Sequence, residues 1–568
     1  MSSLQTNSAL QTLQWQWGQI KPYFQELLSW NLTSATVAEW LAGWSRLQEI
    51  LNETYWRLYV AVTVDTSDQK AQEQYHIFLD ETYPLAQSAD YRLKRKLLES
   101  GIVPSGLEIP MRNVRAEVEL YNEANIPLLA EEIKLSAFYD QIIGAQTVHW
   151  GDQELTLTQL FLLQQSQNRD EREKAWRAIA KRQLEDREAI NDLWVKLMEV
   201  RGKLAANLGL PDYRAYRWKQ LQRHDYTPQD CYHFHRSIAN VAVPAAWRID
   251  EKRRRQLGLD SLRPWDLDVD PLNRPPLRPF NTPAELVEKT TRIFECIDPQ
   301  LASYFKIMQH EGLLDLENRK NKAPGGYCTE FRTVRRPFIF MNCVGIHDDV
   351  LTLLHEGGHG FHVFETAHLP YAIQLQIPVE FMEMAAMAME YMGDWYYEEP
   401  YAGFYTAVDA ARAREEHLTR DIRFWPYMAV VDAFQHWAYR NHSEASKPAN
   451  CDATWAKLWK RFMVGEDWSG LEDEMVTGWQ RRLHLIQSPF YYVDYGLAQI
   501  GATQVWRNAI KDEPMAIAAY RRALSLGGTV TLPQLFAAAG GRLGFDTATL
   551  RQSVSLMEET LDWLSTVQ

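Results

Sequence analysis

Residues Leu353 to His362 read LLHEGGHGFH, an apolar helical run that carries two histidines four apart, a glutamate directly after the first, and three glycines. Each glycine in a helix interior costs about 0.8–1 kcal/mol relative to alanine. Gly357, Gly358 and Gly360 therefore predict a place where side-chain bulk is removed, so that another helix approaches or a substrate backbone passes, with metal coordination offsetting the lost propensity. Residues four apart differ by about 40° around a helix axis, which lets His355 and His359 bring two imidazole nitrogens to one cation. An isolated pair of this spacing is often only solvated. The His-Glu-x-x-His order inside an apolar helix points instead to zinc, with Glu356 beside the metal and able to take a proton from the attacking water.

A tetrahedral catalytic zinc takes three protein ligands and keeps one position open. The pattern in which a glycine and a third histidine follow closely does not apply, because those positions hold His362 and Glu365. Gaps of eighteen or nineteen residues from His359 to a glutamate would end on Pro378 and Val379, which supply no ligand. The next carboxylates are Glu380, Glu383 and Glu390 in PVEFMEMAAMAMEYM, which fall within about 80° of one another on a helix. Periodicity alone does not choose among them. His362, seven residues after His355, is expected to pack or hydrogen-bond behind the ligands, and His233 and His235 in CYHFH are expected to be structural or exposed.

Helical spacing dominates the chain. Apolar residues recur at that period from Ala9 to about Val64, with Thr36 and Glu39 forming a capping-box pattern. Thr227-Pro228 and Thr282-Pro283 each place an N-cap threonine before a proline at the first helical position. The run from Asp170 to Leu208 has the charge alternation of one helix with a wet face. Strand signals are few: a hairpin around Gly151-Asp152 within Thr147 to Leu157, and the apolar segment Arg336 to Asn342 just upstream of the histidines. The proline-dense segment from Pro271 to Pro283 reads as a connector. The expectation is a mainly α protein with an N-terminal helical lobe over residues 1–205 and a catalytic lobe over 206–568.

A formal net charge of −14 argues against nucleic acid or an anionic membrane as the main partner. The five cysteines form no CxxC pair and suggest neither a disulfide framework nor a thiolate zinc site. The N-terminal residues lack the pattern of a secretion signal, and no apolar run approaches the roughly 20 residues of a membrane span, so a cytoplasmic location is expected. Oligomeric state is left open.

HEGGHGFH followed by EFMEMAAMAMEYM resembles the thimet oligopeptidase and oligoendopeptidase F family of zinc metallopeptidases, and most closely its oligoendopeptidase F branch. In that family the metal glutamate opens an E-x6-E segment on a helix shortly after the histidine helix, and Glu383 and Glu390 match it here. The resemblance thus implies one zinc per chain held by His355, His359 and Glu383; Glu390, about 20° from Glu383 around the helix, is either a hydrogen-bonding partner behind the ligands or a surface carboxylate. It extends over roughly residues 170 to 560, through PGGYCTEFRTVRRPFIFMN and the tyrosine-rich segment that contains HLIQSPFYYVDYG. There it implies a phenol that donates a hydrogen bond to the oxyanion, assigned to Tyr495, with Tyr492 and His484 positioning substrate.

The fold implied is mainly α, a two-lobed helical zincin-type peptidase with a deep central substrate channel and a small β element near the active site. The activity implied is endopeptidase cleavage of short unstructured oligopeptides, with zinc-activated water as nucleophile and Glu356 as general base. The strand Phe338 to Asn342 has two readings, a free edge that pairs with an extended peptide or a plain core strand. A zinc carboxypeptidase or dipeptidyl carboxypeptidase is the near alternative, requiring a cationic clamp on the substrate C-terminus. A catalytically dormant peptide-binding protein is the alternative of another class.

Overall fold

The structure is a computed structural model that describes residues 15–567; the part of the first expected helix between Ala9 and Gln14 lies outside the described residues. The chain is mainly α-helical, with one two-stranded and one three-stranded sheet among the described residues. It forms two compact units, each assembled from three stretches of sequence. The first comprises Met1–Tyr121, Arg278–Ala410 and Ala498–Leu543, and the second Asn122–Leu277, Ala411–Leu497 and Gly544–Gln568. This interleaving differs from a single boundary at residue 205: the chain passes between units five times, a return that local periodicity does not encode.

The strands are β1 (Thr147–Trp150), β2 (Gln153–Thr156), β3 (Leu314–Glu317), β4 (Tyr327–Phe331) and β5 (Arg336–Cys343). β1 and β2 form the expected antiparallel hairpin, with Gly151 at φ +61° in the turn. β3, β5 and β4 form the second sheet in that order, β5 pairing in parallel with β3 and antiparallel with β4. Of the two readings for Phe338 to Asn342, the free edge is therefore excluded and the core strand holds. β5 is the central strand, and its nearly continuous burial is that of a strand covered on both faces.

In the first unit, the Val37–Val64 helix buries Trp40, Leu41 and Trp44 against Leu93, Leu97, Met111 and Val114. Trp44 Nε1 donates to Asp90 at 2.7 Å, and Lys94 bridges Asp90 and Glu117, so the Asp90 carboxylate beside this core is paired. The capping box expected at Thr36 does not form, because the Thr36 hydroxyl bonds to the carbonyl of Asn31 instead. In the second unit, the run from Asp170 to Leu208 is two helices, Arg169–Glu185 and Arg187–Ala206, interrupted at Asp186. Thr227 makes a full capping box with Asp230, and the Thr282 hydroxyl accepts from the Glu285 N–H at 3.2 Å, this time in the first unit.

β5 leads directly into the His347–Glu365 helix. The Asp349 carboxylate accepts the N–H groups of Val344, Gly345 and Ile346 at 2.8, 2.8 and 3.0 Å, which ties the strand end to the first helical turn. This helix and the Val379–Gly393 helix form the most extensive contact between elements. The motif glycines explain the closeness. A Cβ on Gly358 would lie 2.7 Å from the Cα of Ala386, and one on Gly357 would lie 2.8 Å from the ring tip of Phe294. Gly360 is less constrained, its nearest neighbour being Met308 Sδ at 3.4 Å.

Gly358→Ala gains up to about 1 kcal/mol of helix propensity but must push backbone away, and overpacking costs typically about 1–3 kcal/mol. The expected outcome is a lower denaturation midpoint for Gly358→Ala and an unchanged or higher one for Gly360→Ala. Equal effects of the two substitutions would refute this reading of the helix contact.

Candidate metal and catalytic centre

His355 and His359 project from the same face of the His347–Glu365 helix, their rings 4.9 Å apart and nearly perpendicular. Glu383 reaches toward them from the Val379–Gly393 helix, and one donor atom from each of His355, His359 and Glu383 lies within 4.8 Å of the other two. His355 Nδ1 and the Glu390 carboxylate are hydrogen-bonded at 2.7 Å. Its other nitrogen, Nε2, stands 3.4 Å from Glu383 Oε2. Two ligands on a tetrahedral zinc at about 2.0–2.1 Å are roughly 3.3–3.4 Å apart, so this spacing suits an ion shared between them. The structure brings together His355, His359, Glu383 and Glu390, all in one unit.

Glu356 is buried one residue past the first histidine, with Oε2 lacking a hydrogen-bond partner. Burial pushes its carboxyl up to about 7, the negative charges of Glu383 and Glu390 add to the shift, and His355 opposes it. The backbone N–H of Cys328 in β4 also supports this carboxylate. That contribution was not legible in the sequence, since it comes from main chain. Burial opposes protonation of His355, but hydrogen bonds to Glu383 and Glu390 outweigh it and hold its pKa well above the ordinary imidazole value. Burial lowers His359 to about 4, with the charge of His355 assisting. His359 is thus neutral with a lone pair to give at neutral pH.

His362 lies behind these groups, 4% exposed, with neither ring nitrogen hydrogen-bonded and Phe381 packed against its ring at 5.5 Å. Burial lowers its pKa to about 3, so it is a neutral core side chain. Glu380 is also buried in the first turn of the second helix, outside the triad of donors.

His484, Tyr492 and Tyr495 belong to the second unit and form one aromatic cluster. The His484 ring is 4.9 Å from Tyr492 and 6.1 Å from Tyr495, and Tyr491, which the sequence reading did not single out, lies 5.1 Å from Tyr495. Tyr492 is buried against Phe424 and Tyr427. Tyr495 and His484 are half-buried.

Residues 162–555 match the model of peptidase family M3. The chain belongs to that family. Its fold is shared with Pz peptidase A solved with an inhibitor, at 26% identity and a TM-score of 0.86 over 97% of each chain. A protein described as an oligoendopeptidase F matches at 26% identity and a TM-score of 0.87 over 96% of each chain, and another from Bacillus anthracis at 25% identity and 0.81 over 97% of this chain and 96% of that one. No curated protein sequence matches. The mainly α M3 fold is thus established, and no helix among the described residues is long and apolar enough to cross a membrane.

The raised Glu356 carboxyl has a thermodynamic consequence in metal-free protein. Its folded-state pKa of about 7 exceeds the ordinary 4.5, so its contribution to stability is full below pH 4.5 and is lost as pH rises through 7. Glu356→Gln removes this dependence. In chelator-treated samples the variant should match wild type near pH 4.5 and exceed it by up to about 3 kcal/mol at pH 8, measured by denaturant unfolding across that range. A stability difference independent of pH would exclude the buried, proton-holding carboxyl.

Proposed function

We propose that this M3 family member is a zinc-dependent endopeptidase that hydrolyses short, unstructured oligopeptides. The observation that carries the reading is the convergence of His355, His359 and Glu383 donor atoms within 4.8 Å, beside a buried Glu356. The likeness to proteins described as oligoendopeptidase F supports the endopeptidase mode and the substrate class. His355 Nε2, a ring nitrogen of His359 and a Glu383 oxygen would hold the metal, with Glu390 keeping His355 in the orientation that presents Nε2. When bound, the zinc supplies polarisation of the scissile carbonyl and lowers the pKa of water to near neutrality.

The rest belongs to the chain. Glu356 takes the proton of the attacking water as the new C–O bond forms, then delivers it to the amide nitrogen as the C–N bond breaks, so the amine leaves neutral. Tyr495, half-buried, donates its phenolic hydrogen bond to the oxyanion, while His484 and Tyr492 position the peptide; these three roles rest on the family resemblance. The five free cysteines suit a reducing compartment such as the cytoplasm.

His355→Ala, His359→Ala and Glu383→Ala should each lose most of the single zinc expected at this site, whereas Glu380→Ala should keep it. Metal retained by Glu383→Ala and lost from Glu380→Ala would reverse the ligand assignment. Glu356→Gln should keep zinc and peptide affinity but lose at least about 10²–10⁴-fold in turnover, the usual worth of general acid–base assistance. A variant with zinc that still cleaves at more than about a tenth of the wild-type rate would remove Glu356 as the base.

The mode of cleavage is read from peptide ends. Oligopeptides acetylated at the N-terminus and amidated at the C-terminus should still be cut internally, as mass spectrometry of the products would show. Complete loss of activity on C-terminally amidated peptides would establish a carboxypeptidase instead.

A further inference from the structure

The second unit contains another group of metal-type donors, well apart in sequence from the HExxH motif. The Pro228–Asn240 helix presents Cys231 and His235, and the Ala407–Arg440 helix presents Asp432 and His436. Each pair is spaced four residues apart, so each puts two donors on one helical face. All four residues are buried, at 0% exposure for Cys231 and Asp432, 4% for His235 and 1% for His436. One donor atom from each of Cys231, Asp432 and His436 lies within 4.8 Å of the other two. His235 Nε2 is 2.7 Å from Asp432 Oδ2, which makes it the nearest fourth donor.

Two buried atoms in this cluster lack any hydrogen-bond partner: Asp432 Oδ1 and His436 Nε2. The latter stands 3.4 Å from Asp432 Oδ2, at the long limit of a hydrogen bond. Leaving a buried polar atom unpaired costs about 1–3 kcal/mol, more when the group is charged. Asp432 Oδ1 is the buried oxygen that a cation would satisfy, on a carboxylate within reach of donor atoms from Cys231 and His436. Ligands on a tetrahedral zinc lie about 3.3–3.6 Å apart, so closing the cluster needs inward movements within the range of side-chain adjustment.

We infer that Cys231, His235, Asp432 and His436 form a second, structural metal site, fitted to a borderline-soft divalent ion such as zinc. Thiolate and imidazole select zinc or cobalt over magnesium or calcium, and the full burial of the donors suits a closed structural site rather than one open to substrate. Thiolate and carboxylate together neutralise the dication. Binding through His436 Nε2 leaves the ring proton on Nδ1, so the Arg214 Nη1 that lies 3.4 Å from Nδ1 would lose that acceptor and keep the Tyr232 hydroxyl at 3.0 Å. The ion would cross-link two helices about two hundred residues apart in sequence. Forming the site would need loss of the Cys231 thiol proton to solvent and transfer of the His235 and His436 ring protons from Nε2 to Nδ1, after which sulfur, carboxylate and both Nε2 lone pairs are given to the metal with no redox change.

The test uses full-length protein carrying His355→Ala and His359→Ala, so that the result is independent of the proposed catalytic site. Stripped of metal and titrated with cobalt(II), it should bind about one ion per chain and develop thiolate-to-cobalt charge-transfer absorption. Adding Cys231→Ser should abolish that absorption. Adding Cys328→Ser and Cys343→Ser should leave it unchanged. Absence of cobalt binding, binding without the charge-transfer band, or a band that survives Cys231→Ser would overturn the proposal. If Cys231→Ser fails to fold, Asp432→Asn takes its place, with a loss of bound cobalt to below about a tenth of the parent value expected and retention at the parent value overturning the site.

Discussion

The close approach of two helices at Gly358 is the constraint on which the rest of the centre depends. The His347–Glu365 helix carries both histidines and the Val379–Gly393 helix carries Glu383, and neither alone holds three donors. The contact point on the second helix is Ala386, one turn from Glu383. Backbone separation at that point therefore sets how far the Glu383 carboxylate stands from the imidazoles. Propensity disfavours three glycines in this helix by about 2–3 kcal/mol in total, but a Cβ at Gly358 or Gly357 would meet Ala386 backbone or the Phe294 ring at under 3 Å. Packing wins because the alternative moves a ligand.

Charge is arranged around the same contact. Glu356, Glu383 and Glu390 are all buried within reach of His355 and His359, a concentration of carboxylates that a low-dielectric site tolerates only with compensating positive charge. The proton partition already reflects this: His355 is driven toward the charged form by two carboxylates, while Glu356 is driven toward the neutral form by burial. Both pKa values are raised, and for Glu356 the rise toward neutrality suits a group that exchanges a proton with a bound reactant. His362 shows the contrast, since burial without a carboxylate partner leaves it neutral in an apolar setting.

Local chemistry in the sequence was legible where one short segment decides the outcome. Thr227 and Thr282 cap helices, Gly151 turns a hairpin, and His355 with His359 share a face because four-residue spacing on a helix permits nothing else. Outcomes set by distant partners were not legible. β5 became a central strand because β3 and β4 lie on either side of it, and Thr36 turned to the Asn31 carbonyl instead of its own helix. The interleaved units follow from the chain's returns, which leave no local mark. The Cys231 and Asp432 pairs are the sharpest instance. Each reads on its own as an ordinary buried helix face, and only the meeting of the Pro228–Asn240 and Ala407–Arg440 helices gives them a common chemistry.

The spacing of Glu383 and Glu390 shows how a single periodicity can serve two purposes. Seven residues make nearly two helical turns, so the two carboxylates share one stripe while their backbones are separated by about 10.5 Å along the axis. They converge on opposite nitrogens of one ring, Glu390 on Nδ1 and Glu383 beside Nε2 of His355. The Nδ1 hydrogen bond fixes which nitrogen keeps its proton and leaves the other to give its lone pair to a cation that Glu383 also reaches. A helix with the second carboxylate five or six residues away would turn it to a different stripe and leave the imidazole free to adopt the wrong tautomer. The E-x6-E spacing is thus a statement about imidazole orientation as much as about ligand supply, and it requires the straight, closely packed helix that Gly358 permits.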